Sequence, residues 1–236
     1  MDSKFKELSV FLPAYNEEKD LKNTAENVVG AASKIADKWE LIIVNDGSKD
    51  NTRKIAEMLS GKDKRIRVIS HETNRGYGAS LQTGFYNSKY PWISFIDSDG
   101  QFDFGEIGKF LQKQKETNAD LVIGYYNKRK ASFTKILTSK VWEVVVFLLF
   151  GLKVKDIDCG FKLISKQVID KIPKLESERG AFITSELLIK AKKEGFKFAE
   201  VKITHYPRVG GEATGRKLSV IIQSFKDLFK LWKKLK

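Results

Sequence analysis

Short apolar runs alternate with helical patterns along most of this chain of 236 residues. The runs are rich in aliphatic and aromatic side chains, and the segments between them repeat apolar residues at helical spacing. Strands that alternate with helices through short links form a mostly parallel sheet with helices on both faces. The predicted strands are residues 8–12, 41–44, 66–69, 92–96, 121–123 and 198–203. We therefore expect an α/β fold with one main core, which a chain of this length can bury.

Polar residues directly follow three of these strands. They occupy residues 13–17 (PAYNE), 45–48 (NDGS) and 97–101 (DSDGQ). In a parallel α/β sheet, ligands bind at the carboxyl ends of the strands. Three such clusters at one edge are harder to explain as solvated turns than a single cluster. We predict that the three segments meet and form a binding site.

Asp97, Asp99 and Gln101 alternate along the chain at the end of strand 92–96. In extended chain, residues two apart point the same way, so three oxygen-bearing side chains can converge. Two carboxylates held close together repel each other unless one is protonated or a cation lies between them. Oxygen ligands suit Mg²⁺ or Mn²⁺, which share their remaining coordination positions with substrate phosphates. The pattern predicts a cation–diphosphate site, and its alternative is a solvated strand-to-helix turn.

Composition and motifs exclude several classes of protein. The single cysteine, Cys159, cannot form an internal disulfide, and one Cys with two His cannot build a zinc cluster. A dinucleotide-binding domain needs a G-x-G-x-x-G turn after its first strand, where this chain has PAYNEE. The later pair Gly76 and Gly78 fits a plain strand-to-helix turn better than a phosphate loop.

Location and partners follow from charge and apolar length. The longest apolar run, residues 144–152, is about half of the roughly 20 residues that a membrane-spanning helix needs. The N-terminus lacks the apolar stretch of a signal peptide. One cysteine favours a reducing compartment, so we expect a cytoplasmic location. The net charge of +13 indicates an anionic partner: phosphorylated small molecules, an acidic membrane surface or nucleic acid.

Four motifs occur in a fixed order along the chain. They are PAYNE (13–17), NDGSKDNT (45–52), NRGYGAS (74–80) and DSDGQFD (97–103). Together they resemble family 2 glycosyltransferases, in particular dolichyl-phosphate mannose synthases and bacterial polyprenyl-phosphate glycosyltransferases, as far as about Lys217. The resemblance implies a GT-A fold, which is Rossmann-like, a nucleotide-diphosphate sugar donor and a divalent metal, Mg²⁺ or Mn²⁺. It also implies inversion at the anomeric carbon by direct displacement.

The resemblance also implies roles for individual residues. The nucleoside pocket would be lined by Pro13, Ala14, Tyr15 and Glu17. Asp46 would hold the base or ribose, whereas Asn45 stands where many relatives have a second Asp and brings no charge. Asp97, Asp99 and Gln101 would hold the metal and the diphosphate.

On the acceptor side, Lys135 and Ser139 align with positions that contact the acceptor phosphate in the lipid-phosphate enzymes. Lys135 stands where relatives commonly have Arg, which keeps the charge but loses the bidentate fork. The apolar helix around residues 142–150 is either a core helix or a contact with lipid. Residues 156–162 resemble a family segment beside the reaction centre.

Asp99, Asp158 and Arg208 are the candidate catalytic residues. Arg208 ends a segment that closes over the diphosphate in the family, and a guanidinium matches phosphate geometry. A phosphate acceptor is already anionic and needs no general base. A hydroxyl acceptor would need one, and Asp158 or Glu186 would have to serve. On its amphipathic helix, Glu186 is expected more as a surface residue than as a site residue.

We predict a glycosyltransferase domain over 1–215 and a basic amphipathic helix over 216–236. Ahead of the boundary lie His205, either an extra metal ligand or a plain strand-end histidine, and the loop 210–215, a candidate lid over the donor. The tail has seven Lys or Arg against one acid. Such a helix attaches reversibly to membranes or packs on its own domain or a dimer partner. We expect a peripheral contact at the cytosolic membrane face.

The expected function is metal-dependent, inverting transfer of a sugar from a nucleotide-diphosphate donor to a polyprenyl or dolichyl phosphate. The donor would be of the GDP-mannose or UDP-glucose type. One alternative is the same reaction on a hydroxyl of a glycan, glycolipid or protein, and another is a non-catalytic basic module that binds membranes. Nucleic acid is not an expected partner, because the basic tail is interleaved with a large apolar face.

Overall fold

A seven-stranded sheet lies at the centre of the molecule, with helices on both faces. The computed structural model describes residues 4–126, 133–180, 182–207 and 218–235. The strands are β1 (Phe5–Ala14), β2 (Ala36–Asn45), β3 (Ile66–Ser70), β4 (Trp92–Ile96), β5 (Leu121–Tyr125), β6 (Phe161–Ser165) and β7 (Phe198–Lys202). The helices are α1 (Leu21–Ile35), α2 (Thr52–Lys62), α3 (Tyr77–Asn87), α4 (Ile107–Thr117), α5 (Phe133–Phe150), α6 (Lys166–Lys171), α7 (Phe182–Lys193) and α8 (Leu218–Leu235).

The strand order is β3-β2-β1-β4-β6-β5-β7. Strand β6 runs antiparallel to its neighbours β4 and β5, and the other strand pairs are parallel. The direction of winding reverses between β1 and β4, and open α/β sheets bind ligands at such a switch point. The prediction of a mostly parallel sheet flanked by helices is confirmed.

Successive residues of the central strands supply two separate cores. Val10 and Leu12 of β1 pack into the core covered by α1, α2 and α4, whereas Phe11 packs into the core covered by α3 and α5 to α8. Phe11 stacks on Phe95 with ring centroids 5.4 Å apart and meets Phe85 of α3 edge to face at 5.0 Å. These contacts fix α3 against the sheet, with its first turn at the carboxyl ends of the strands.

Helix α1 begins at Leu21, later than the start at residues 16–18 that the sequence indicates. Asn16 has a left-handed backbone with φ 56°, which interrupts a right-handed helix. The Glu17 N–H donates to the Thr52 hydroxyl at 2.8 Å and so belongs to a loop contact. The polar segment after β1 is therefore a loop shaped by its neighbour, not the first turn of a helix.

Helix α8 packs on the rest of the protein through its apolar side. Leu228 and Leu231 are buried in the same core as α3 and α7. Phe225 meets Trp142 of α5 edge to face, with centroids 5.0 Å apart. Among the helices that the structure describes, none combines the length and apolarity needed to cross a membrane. The domain boundary predicted at residue 215 lies outside the described residues.

Candidate active site

The loops that follow β1, β2 and β4 meet at one edge of the sheet. Strand β1 pairs in parallel with both β2 and β4, so the three strands end side by side. The Asp46 N–H donates to the Ala14 carbonyl oxygen at 2.9 Å, and the Ser98 hydroxyl donates to the Pro13 carbonyl oxygen at 2.6 Å. The predicted convergence of the three polar segments is confirmed.

The loop after β1 is held in shape by the loop after β2. Asn16 Oδ1 accepts a hydrogen bond from the Lys49 N–H at 2.8 Å, and the Asn16 N–H donates to the Ser48 hydroxyl at 3.1 Å. The predicted nucleoside-pocket residues divide into buried Pro13 and Ala14 and partly exposed Tyr15 and Glu17. Tyr15 and Glu17 are therefore accessible to a ligand, and the pocket role of all four stays a prediction.

Asp46 is buried, and both of its carboxylate oxygens accept hydrogen bonds from the protein. Oδ1 lies 2.6 Å from His71 Nδ1 and accepts from the Arg75 N–H at 2.9 Å, while Oδ2 accepts from the Gly76 N–H at 2.8 Å. The other ring nitrogen of His71 lies 2.9 Å from the Thr83 hydroxyl. Asp46 therefore joins the loops after β2 and β3, and its contact with a base or ribose stays a prediction.

Asp97 lies at the end of β4 beside a second carboxylate and a buried phenol. The Tyr77 hydroxyl donates to Asp97 Oδ1 at 2.7 Å. Burial and then the charge of Asp99 raise the pKa of Asp97 to about 7, against the opposing effects of the Tyr77 hydrogen bond and Lys162. Burial and the neighbouring Asp97 raise the pKa of Tyr77 well above 10, so it remains a donor. The carboxyl groups of Asp97 and Asp99 thus lie close together where the cation site was predicted.

The segment 156–162 lies against Asp97. A Cβ atom added at Gly160 would lie 2.0 Å from Asp97 Oδ2, so only glycine allows the carboxylate to occupy this position. Two residues earlier, the candidate catalytic residue Asp158 is exposed. Asp158 is thus only two residues from the glycine that touches the carboxylate of Asp97. Its catalytic role stays a prediction.

Lys162 is fully buried below this edge, although the sequence gives little sign of it. Its ammonium donates to the Cys159 carbonyl oxygen. Burial lowers the pKa of Lys162, while the carboxylates of Asp156, Asp158 and Asp97 act in the opposite direction. The nearby Cys159 thiol has its pKa raised to about 12 by burial, so it is neutral and does not act as a thiolate. In the sequence, only the position of Lys162 near the start of β6, just after an acidic loop, could have indicated that it is buried beside carboxylates.

Residues 204–207 cover the loop that contains Gln101. The Gln101 side-chain amide donates to the Tyr206 carbonyl oxygen at 3.2 Å, and the Tyr206 N–H donates to the Gln101 carbonyl oxygen at 2.8 Å. The His205 ring stacks on Tyr126 with centroids 4.2 Å apart. This contact does not test the alternative of His205 as a metal ligand. Arg208 and the candidate lid 210–215 lie outside the described residues.

The acceptor-side predictions have mixed outcomes. Lys135 and Ser139 lie in the first half of α5, and their contact with an acceptor phosphate stays a prediction.

The expectation that Glu186 lies at the surface is wrong, because its side chain is buried. Its carboxylate accepts the N–H groups of Glu176 and Ser177, both at 2.9 Å, and the Lys190 ammonium at 2.6 Å. Glu186 therefore holds the loop before α7.

Comparison with known proteins identifies the family. The sequence model named Glycosyl transferase family 2 matches residues 9–173, which is most of the chain. The chain belongs to glycosyl transferase family 2. Among family members, a dolichyl-phosphate beta-glucosyltransferase of Dictyostelium discoideum is 30% identical over 245 residues, covering 95% of this chain and 73% of that protein. Glycosyltransferase AglD of Haloferax volcanii is 27% identical over 208 residues; these are 86% of this chain, which spans only 33% of AglD.

Solved structures of other proteins share this fold. A glucosyl-3-phosphoglycerate synthase from Mycobacterium tuberculosis, in complex with Mn²⁺, uridine diphosphate and phosphoglyceric acid, matches with a TM-score of 0.74 and 21% identity. The match covers 96% of this chain and 78% of that chain. At this identity the likeness shows the fold. The predicted GT-A fold and the prediction of a family 2 glycosyltransferase are both confirmed.

Proposed function

We propose that this glycosyltransferase moves a sugar from a nucleoside-diphosphate sugar to a polyprenyl or dolichyl phosphate with the help of a divalent cation. The observation that carries the proposal is the meeting of Asp97 and Asp99 with the loop of Tyr15 and Glu17 at one sheet edge. A sugar nucleotide has a base, a ribose and a diphosphate in sequence. A partly exposed aromatic loop beside two carboxylates offers a surface for each part.

The donor atoms at this edge suit Mg²⁺ or Mn²⁺. Asp97 and Asp99 supply carboxylate oxygens, with Gln101 next to them, and oxygen is the ligand that these cations prefer. Burial and then the charge of Asp99 raise the pKa of Asp97, and a bound cation would relieve the repulsion between the two carboxylates. Within the described part of the chain, no group of three or more His, Cys, Asp or Glu could hold a metal. The diphosphate oxygens of the donor would therefore complete the coordination.

The relatives support a particular donor and acceptor. The Dictyostelium relative is named for dolichyl phosphate and for beta-glucosyl transfer. Complexes of the Mycobacterium synthase contain uridine diphosphate with Mn²⁺ or with Mg²⁺. We therefore propose UDP-glucose as the first donor to test and GDP-mannose as the second. When bound, the cation neutralises negative charge that develops on the departing nucleoside diphosphate.

The nature of the acceptor decides what Asp158 does. A lipid phosphate is ionised at neutral pH, so no side chain has to remove a proton from it. A hydroxyl acceptor would lose its proton to a base, and Asp158 is exposed near Asp97 whereas Glu186 is buried and fully hydrogen-bonded. Asp158 is thus nearly dispensable in the first case and essential in the second.

An assay with purified protein tests the proposal. Labelled UDP-glucose or GDP-mannose is incubated with a short polyprenyl phosphate or the matching polyprenol, with Mn²⁺, Mg²⁺ or EDTA, and the lipid product is measured. We expect transfer only to the phosphate and only with a cation. We expect Asp99→Ala to reduce the rate by about 100-fold or more, as loss of a group that stabilises developing charge does. Asp158→Asn should keep most of the activity.

Two outcomes would contradict this proposal. Transfer to the polyprenol that disappears in Asp158→Asn would indicate hydroxyl glycosylation and a general base. Absence of any transfer, with Asp99→Ala binding vesicles as well as the wild type does, would favour a membrane-binding role without catalysis.

A lipid acceptor also implies contact with a membrane. We propose that an apolar face of α5 makes this contact, on the cytosolic side of the membrane. This α5 face consists of Val141, Val144, Phe147 and Leu148. Their exposures are 46%, 54%, 49% and 74%, and their spacing puts them on one side of the helix. A group of exposed apolar side chains of this kind is typical of a protein or membrane contact.

A further inference from the structure

The Asp97 carboxylate is held from two sides, by Tyr77 and by Gly160. On one side the Tyr77 hydroxyl donates to Oδ1 at 2.7 Å. On the other side the bare Cα of Gly160 lies against Oδ2, where a Cβ atom would approach to 2.0 Å. The Asp97 N–H also donates to the Gly160 carbonyl oxygen at 3.2 Å. Gly160 therefore contacts both the backbone and the side chain of Asp97, and Tyr77 contacts the side chain from the other side.

Tyr77 is itself held firmly, because it is the first residue of α3 and that end of the helix is attached to two loops. The preceding Gly76 N–H donates to Asp46 Oδ2 at 2.8 Å. The Ala79 N–H donates to the Glu178 carbonyl oxygen at 2.9 Å. A Cβ atom at Gly78 would lie 2.2 Å from the carbonyl oxygen of Ser177, so the helix is in direct contact with that loop. The hydroxyl of Tyr77 thus reaches Asp97 from a fixed position.

We propose that Tyr77 is a positioning residue, which holds the Asp97 carboxylate in the orientation that the divalent cation and the donor diphosphate require. The inference rests on the proposed function. A phenol hydroxyl has one proton to donate and occupies one lone pair of Oδ1, so the remaining lone pairs of the carboxylate are left for a cation. Hydrogen bonds of this kind to metal ligands affect metal affinity by about 10- to 100-fold.

Calorimetric titration of uridine diphosphate and of guanosine diphosphate into Tyr77→Phe, with Mn²⁺ or with EDTA, tests the inference. We expect the affinity in Mn²⁺ to fall about tenfold, because the carboxylate loses its orienting donor. The affinity in EDTA should stay at the wild-type value, since the hydrogen bond that the variant loses goes to Asp97. Thermal melting of the same samples reports whether the variant is folded.

Tyr86→Phe is a matched control on the same helix. The Tyr86 hydroxyl accepts the Leu175 N–H at 2.9 Å, so this variant also loses one phenol hydrogen bond to a neighbouring element. It does not touch Asp97, and its Mn²⁺-dependent affinity should equal that of the wild type. A general loosening of α3 would instead affect both variants alike.

Gly160→Ala tests the other side of the carboxylate, and it keeps the inference testable if Tyr77→Phe does not fold. Its added methyl group displaces Asp97 without removing the tyrosine, and we expect the same selective loss of affinity in Mn²⁺. Wild-type affinity in Mn²⁺ for either folded variant, or equal losses in Mn²⁺ and EDTA, would overturn the inference. A wild-type protein whose nucleotide affinity is the same in Mn²⁺ and EDTA would contradict the proposed function itself.

Discussion

Asp46 and Asp97 follow β2 and β4 at the same edge of the sheet. The two carboxylates nevertheless differ in the hydrogen bonds that the protein offers them. Asp46 receives hydrogen bonds from two backbone N–H groups and has the His71 ring nitrogen at 2.6 Å. Asp97 accepts a hydrogen bond from the Tyr77 hydroxyl and has a like charge nearby in Asp99. A carboxylate satisfied by the protein holds loops together, whereas one with free lone pairs and a repelling neighbour is suited to a cation.

Asp97→Asn should stabilise the cation-free protein at pH 8. Folding raises the pKa of Asp97 from 3.8 to about 7, so the stability that the neutral acid contributes is fully present below pH 3.8 and is lost as the pH rises to 7. Asparagine carries no charge to bury. In EDTA at pH 8 we expect the variant to gain about 2–4 kcal/mol, which corresponds to roughly 5–10 °C in Tm. Thermal melts between pH 4 and 8 should show the gain growing and then levelling off.

Asp46→Asn provides the control for this experiment, because it makes the same chemical change at a carboxylate that the protein already satisfies. Its new amide group faces N–H donors and loses an acceptor, so Tm should fall at every pH in the range. A fall in the Tm of Asp97→Asn at pH 8 would show that hydrogen bonding, and not charge, governs Asp97.

At the scale of elements, the strands and the site edge follow from the sequence because buried strands and the polar turns after them are local patterns. The contacts of His71 and Tyr77 are not local, since 25 residues separate His71 from Asp46 and 20 residues separate Tyr77 from Asp97. NRGYG has the pattern of an ordinary turn before a helix, and nothing in it indicates which carboxylate its tyrosine reaches. Sequence patterns thus locate the site edge but not the residues that brace it.

The surface prediction for Glu186 failed for a related reason. Every residue of α7 from Phe182 to Ala191 is buried, because α8 packs in the same core and the loop before α7 contacts its polar side. The polar positions of α7 are then satisfied inside the protein. Glu186 and Lys190 pair with each other and bind the backbone of the loop before the helix.

Removing one member of this buried pair should cost far more than removing an exposed pair. Glu186→Ala removes the carboxylate that pairs with the buried Lys190 ammonium and accepts two N–H groups, so we expect a loss of about 3–5 kcal/mol. Adding Lys190→Met should cost less than the sum of the two single changes, by about 1–3 kcal/mol. Urea denaturation of the four proteins of the cycle measures both quantities.

The exposed pair Arg53–Glu57 on α2 supplies the comparison. It has the same spacing along a helix, and Glu57→Ala should change the unfolding free energy by less than about 1 kcal/mol. Additive effects of Glu186→Ala and Lys190→Met would mean that the two side chains do not stabilise each other.

At the scale of the whole molecule, apolar and basic groups occur together on the side formed by α5 and α8. The α5 face is joined there by Phe229, which is 47% exposed, while Lys226, Lys230 and Lys233 of α8 are exposed. The buried side of α8 faces the core, so its lysines point toward solvent. Exposed apolar groups beside lysines suit an anionic bilayer better than a neutral one.

Val144→Glu combined with Leu148→Glu should weaken binding to vesicles that contain anionic lipid by tenfold or more. Each exposed side chain that enters the bilayer interface contributes roughly 1–2 kcal/mol, and the glutamates also repel the anionic surface. Both positions are exposed, so folding should not suffer, and thermal melting checks this. Met58→Glu is the matched control, because Met58 is also exposed, at 41%, but lies on α2 against the opposite core. Equal binding by the double variant and the wild type in sedimentation would exclude the α5 face as the membrane contact.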